Sequence, residues 1–155
     1  MSIAFHALQT ATAKAIRASG RDAYGNPVET HTSDGAVYPC RHCLGAVPEG
    51  MDYLILAHRP FGSTNPYAET GPIFLCAENC ARAETSGEVP SVLRSPAYIV
   101  RAYDAAERII YGTGKVTPTP EIPDYAETLL ADPRVAFIDI RSAANNCYQC
   151  RITRA

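Results

Sequence analysis

"RVAFIDIRSAANNCYQCRIT", Arg134 to Thr153, carries the pattern of a β-hairpin. In its first half Val135, Phe137 and Asp139 alternate with Ala136, Ile138 and Ile140, the two-residue period of a β-strand. "CYQCRIT" reads as a second strand, and the polar "RSAANN" between them is a hairpin loop of the longer kind. Sequential strands joined this way run antiparallel, so the C-terminal segment commits the chain to an antiparallel sheet.

Working outward, "PDYAETLLADP" precedes this hairpin and reads as a helix started at Pro123 or Asp124 and stopped by Pro133. "AYIVRAYD" and "RIIYGTG" are β-branched and aromatic, and the spacer "DAAE" makes them a paired unit. The Pro-rich "KVTPTPEIP" after them is extended. "YLILA" (Tyr53–Ala57) and "IFLCA" are short buried strands, and "ENCARAE" continues from the second as a helical turn. At the N-terminus "IAFHAL" (Ile3–Leu8) is a strand and "TATAKAIRAS" a helix, with Thr10 to cap it and Gly20 to close it. The segment from Arg21 to Pro39 is a loop with a small hairpin at Asp34-Gly35. About six or seven strands and two main helices without βαβ alternation predict an α+β fold, one domain over residues 1–155, with a mainly antiparallel or mixed sheet.

Composition narrows the function. The 155 residues suffice to bury a core without a covalent staple. Charged residues are 19% and the net charge is -2, with pI about 6.1, which disfavours a nucleic-acid binder with its basic patch. No apolar run approaches membrane-spanning length, and the N-terminus lacks the charged and apolar regions of a secretory signal. A cytoplasmic location follows, and in a reducing compartment paired cysteines point to metal or redox chemistry before stable disulfides.

Six cysteines fall in three pairs. "CRHC" (Cys40, Cys43) lies among turn residues and offers two thiols from one tight turn; "CYQC" (Cys147, Cys150) repeats the spacing. Four thiolates suit tetrahedral zinc, so Cys40, Cys43, Cys147 and Cys150 are the expected ligand set, with Cys76, Cys80 and His58 as alternatives. Residues three apart on a regular strand point to opposite faces, so Cys147 and Cys150 share a metal only across a bulge. The same geometry keeps them from bridging each other. Inert buried thiols and a reversible disulfide stay open beside the metal reading. A thioredoxin-like site is disfavoured, because Gly45, Pro48 and Gly50 break the helix it needs after its cysteines. "YGTGK" lacks the spacing of a phosphate loop, and no H-E-x-x-H or G-x-S-x-G occurs. Arg41, Tyr67 and Glu69, the last two on the long loop "RPFGSTNPYAETGP", are the candidates for an anion-binding pocket or an enzyme site.

In this order, "YPCRHCL", "PYAETGPIFL" and "AANNCYQCRITRA" resemble the uncharacterised bacterial family called domain of unknown function 1203, from Tyr38 to the end of the chain. The family has no assigned activity. The resemblance implies that Cys40, Arg41, Cys147 and the "GPIF" strand are its shared part. A four-cysteine site would then belong to this branch, with His a frequent occupant of the Cys76 position. Two readings result: a binding or scaffold module with structural zinc, and an enzyme or anion-binding protein around Arg41, Tyr67 and Glu69, either with a thiol-redox variant. Cys40 and Cys147 are expected to approach each other across the fold.

Overall fold

Polar turns cut the apolar runs into short elements. The computed structural model describes residues 2–155. Strand β1 (Ile3–His6) leads into helix α1 (Thr10–Ser19), followed by β2 (Glu29–Thr32), β3 (Asp52–His58) and β4 (Gly71–Cys76). Then come β5 (Ala97–Tyr103), β6 (Lys115–Pro118), helix α2 (Ile122–Leu130), β7 (Phe137–Ser142) and β8 (Tyr148–Arg154). These form one α+β domain with two antiparallel sheets where the sequence pointed to one: a five-stranded sheet ordered β1-β8-β7-β5-β6 and a three-stranded sheet ordered β2-β3-β4.

The C-terminal hairpin forms as the alternation predicts, and it stands inside the larger sheet, between β1 and β5. It turns through Asn146, whose φ of 61° is left-handed, and Asn146 N–H donates to Ser142 O at 2.8 Å. On one face Val100, Ile138, Ile140, Cys150 and Ile152 meet α2, which buries Ile122, Ala126 and Leu130 at four-residue spacing. On the other face, cross-strand register sets Arg101 of β5 opposite Asp139 of β7, Asp139 opposite Arg151 of β8, and Arg151 opposite His6 of β1. Asp139 is fully buried and accepts from the Arg151 guanidinium at 2.7 and 3.0 Å, so a charged row lies inside the fold. Helix α1 covers the smaller sheet, placing Ala13 and Ile16 among Leu54, Leu56, Ile73 and Leu75.

Several local expectations change. Gly20 does close α1, at φ 63° with its N–H on Ile16 O at 2.9 Å. The N-cap is Gln9, and the Thr10 hydroxyl instead bonds His42 Nε2 at 2.9 Å. The segment read as loop contains β2, and no hairpin forms at Asp34-Gly35; β2 pairs with β3. "ENCARAE" has a bend at Glu78 and is otherwise irregular, with no helical turn. Within "RIIYGTG" only Ile109 bridges back, to Tyr103, and β5 pairs with β6 and β7. Among the described residues no helix is long and apolar enough to cross a membrane.

Candidate metal centre

The first cysteine pair sits on a turn built by its own neighbours. Pro39 and Ala46 bridge, Cys40 N–H donates to Gly45 O at 2.9 Å, and Leu44 N–H donates to Cys40 O at 2.8 Å. Leu44 takes a left-handed φ of 51°, which reverses the chain directly after Cys43. The turn docks on β4 through a parallel bridge from Cys40 to Phe74 and through Arg41 N–H on Phe74 O at 3.1 Å. Cys76 is the last residue of β4, and the chain bends after it to carry Cys80 back; Ala83 N–H then donates to His42 O at 2.9 Å.

Four sulfurs converge as a result. The Sγ atoms of Cys40, Cys43, Cys76 and Cys80 all lie within 4.8 Å of one another. Cys40 and Cys80 stand 3.8 Å apart, and Cys43 and Cys76 stand 3.9 Å apart. A tetrahedron with metal–sulfur bonds of about 2.3 Å has sulfur–sulfur edges of about 3.8 Å. A disulfide needs about 2.05 Å, and all six cysteines are free. These four thiols are placed to bind a metal ion.

The electrostatics match that placement. Contacts from Cys43 and Cys76, together with the Cys76 N–H at 3.3 Å from Cys40 Sγ, hold the Cys40 thiol far below its ordinary range. Ionised Cys40 in turn pushes Cys43 up to about 11 and raises Cys76 further still, with Cys43 adding to the rise. Thiols this close suppress one another's ionisation, and a cation at their centre removes the conflict. Two basic residues already face the cluster. Arg17 of α1 donates through its guanidinium to Cys80 Sγ at 3.4 Å and through Nε to Cys76 O at 3.0 Å. His42, almost fully buried, has Nδ1 3.1 Å from Cys80 Sγ. Burial keeps its imidazole below the ordinary value and so neutral. A Cys80 thiolate can only accept, which would place the imidazole proton on Nδ1 and leave Nε2 to accept from the Thr10 hydroxyl.

The expected residues divide. Cys40 and Cys43 are where the sequence put them, but their companions are the alternative pair, Cys76 and Cys80. Cys147 and Cys150 stand elsewhere. The bulge they require does occur: Tyr148 lies opposite Arg141 while Cys150 lies opposite Ile140. It turns Tyr148 toward the charged face and leaves Cys150 in the core under α2, where burial pushes its thiol up to about 12. The Cys147 thiol, ahead of β8, reaches Asn145 O at 3.7 Å. His58 packs its ring against Tyr148 and is not among the gathered donors. Cys147 is not among the sulfurs gathered around Cys40; Arg41, next to Cys40, lines a cavity with Cys147 and donates through Nε to Tyr148 O at 2.6 Å.

Arg41, Tyr67 and Glu69 have three separate sets of partners. Arg41 is buried on backbone carbonyls of Tyr148 and Pro39. Tyr67 bonds the Tyr111 hydroxyl at 2.7 Å under the Arg108 guanidinium. Glu69 pairs with Arg101 at 3.0 Å and with Arg141 at 3.3 Å. The sequence carries no sign of Arg17 or Thr10 as supports of the thiols. The single available signal was a histidine inside the first Cys-x-x-Cys.

Comparison with known proteins adds identity. A family model described as "Protein of unknown function (DUF1203)" matches residues 37–154. The chain belongs to that family. The DUF1203 span holds all six cysteines and begins just before the Cys40 turn; β1, α1 and β2, and with them Arg17 and Thr10, lie ahead of it. No curated protein and no solved structure matches the chain.

Proposed function

We propose that this DUF1203 chain is a zinc-stabilised scaffold or binding module. Cys40, Cys43, Cys76 and Cys80 would hold one structural zinc ion. The observation that carries this is the pair of sulfur–sulfur separations, 3.8 and 3.9 Å, at the edge length of a tetrahedral four-thiolate site. Four soft anionic donors select zinc or iron–sulfur chemistry over hard cations, and one tetrahedron of single thiolates suits zinc. Four protein ligands leave no open position for water or substrate, which makes the role structural.

The fold supports that role. The centre would tie the turn in the β2–β3 connection to the end of β4 and to the start of residues 77–96. That segment has no helix or strand. It nonetheless carries Val92 and Leu93 into the larger core and bonds Phe5 N–H through Ser86 O at 2.7 Å. Irregular segments of this length need an anchor to stay packed. A reducing compartment would keep the thiols available for it.

Elemental analysis of protein purified without added metal tests the proposal. One zinc per chain is expected, with chelation lowering the melting temperature. Fully folded protein with no metal would end it, and visible absorption from bound iron would replace zinc by an iron centre.

A further inference from the structure

A second site lies away from the thiols. A cavity of about 530 Å³ opens between the segment joining β1 to α1, the end of β3 with the loop after it, and β8. Its volume is within the usual range for small-molecule sites. Five basic side chains line it, His6, His58, Arg59, Arg82 and Arg151, and no aspartate or glutamate does.

The three guanidiniums differ in how far the protein satisfies them. Arg151 is committed to buried Asp139 and to Pro60 O at 2.6 Å. Arg82 donates to the carbonyls of Leu8 and Ala7 at 3.2 and 2.8 Å, both neutral acceptors. Arg59 has a buried Nε without an acceptor. Among the described residues neither Arg59 nor Arg82 forms an ion pair. Two positive charges therefore face one cavity without a counter-charge.

The surroundings feel that charge. Burial, then Arg151, Arg41, Arg59 and Arg141, hold the His58 imidazole down to about 4. Burial, then Arg82 and Arg151, hold His6 below its ordinary value. Gln9 and Thr12, at the first turn of α1, also line the cavity, and this helix start has no capping side chain and no acidic residue. Its free N–H groups add to a field that favours an anion. Leu8, Phe61 and Tyr148 supply an apolar wall.

A ligand that answers these features carries about two negative charges on one compact group and has a small apolar or planar body. A phosphate monoester carries about -1.5 to -2 at neutral pH and offers three acceptor oxygens. A monocarboxylate would leave one guanidinium uncompensated. We propose that this cavity binds a small phosphate monoester, its phosphate held by Arg59 and Arg82 and its organic part lying against Leu8 and Phe61. Arg82 lies on the segment that the thiols would anchor whereas Arg59 lies on the loop after β3, and zinc content measured on the same samples separates failure of one reading from failure of the other.

The test is calorimetric titration of the full chain, as purified with its metal, with phenyl phosphate, inorganic phosphate and succinate at constant ionic strength. Phenyl phosphate is expected to bind most tightly, inorganic phosphate more weakly, and succinate no better than inorganic phosphate. Arg59→Gln should weaken phenyl phosphate by about tenfold or more, the effect of losing one charge-assisted contact. Its melting temperature and zinc content should stay those of the parent, since among the described residues the Arg59 side chain has no hydrogen-bond or ion-pair partner. Arg82→Gln should weaken binding as well. Arg134→Gln, at an exposed ion pair with Asp132, should leave binding unchanged. No binding of either phosphate at millimolar concentration, unchanged affinity in Arg59→Gln, or tighter binding of succinate than of phenyl phosphate would overturn the proposal.

Discussion

Replacing both Cys76 and Cys80 by serine removes the β4 side of the metal centre while leaving the Cys40 turn intact. The magnitude follows from what the centre closes. A metal joining Cys43 to Cys76 shuts a loop of about 34 residues, and the chain-entropy relation for a cross-link of that length gives about 4 kcal/mol. That is a floor, because the metal–thiolate bonds also form only in the folded state. In a chain of this length each kcal/mol moves the melting temperature by about 2–4 °C, so a fall of at least about 8 °C is expected. Serine fits both positions sterically, and both are only half-buried, so cavity formation contributes little. The assay is thermal and urea unfolding of parent and variant, each with and without a strong zinc chelator. Chelator should bring the parent down toward the variant and leave the variant where it is. A variant melting within about 2 °C of the parent, or a parent indifferent to chelator, would refute the cross-link reasoning.

Other outcomes follow from the same geometry. His42→Ala removes the Nδ1 donor at 3.1 Å from Cys80, and metal affinity measured by competition with a chromophoric chelator should fall about 10–100-fold; unchanged affinity would assign His42 to packing alone. Thiol titration of the metal-loaded native protein should find one fast-reacting cysteine, Cys147, with Cys150 unreactive until unfolding, because burial holds it protonated up to about 12; rapid labelling of Cys40 or Cys43 in that state would contradict the metal centre. NMR of the His58 ring should show a neutral imidazole at pH 6 and a midpoint near 4. Because its folded value is depressed below that of the unfolded chain, acid destabilises the fold through it as pH drops from about 6.5 toward 4; a midpoint above 6 would show an open cavity.

Much of the fold was legible because local signals and packing agree. Helix α1 ends at a glycine in the left-handed region, α2 repeats Ile122, Ala126 and Leu130, and the C-terminal hairpin alternates as a central strand pair should. Strand β2 escaped because "ETHT" is exposed on both faces at a sheet edge and has no apolar period. "RIIYGTG" looked like a strand by composition. There the Asp104 carboxylate accepts from Ala106 and Arg108 N–H at 2.9 and 3.0 Å, tightening the turn, and Gly112 at φ 88° breaks the run before β6 begins.

The metal centre was half legible for a comparable reason. A Cys-x-x-Cys among turn residues announces two thiols from one turn, and Cys40 and Cys43 do stand in the gathered cluster. The repeated spacing at Cys147 and Cys150 pointed to companions other than the thiols gathered beside the turn, since spacing says nothing of which strand lies there. The parallel bridge from Cys40 to Phe74 places the turn on β4, so the companions come from the end of that strand and the bend after it. The bulge at Cys150 serves the charged face instead, which carries Tyr148, Arg141 and Arg151. Arg17 and His42 reach the sulfurs only through tertiary contact.

Four thiolates, from Cys40, Cys43, Cys76 and Cys80, would surround one zinc ion. X-ray absorption at the zinc edge of the purified protein tests it most directly. Four sulfur neighbours at about 2.3 Å and no nitrogen or oxygen neighbour are expected. A folded protein without zinc, or a zinc ion with nitrogen or oxygen in place of any of the four sulfurs, would contradict it.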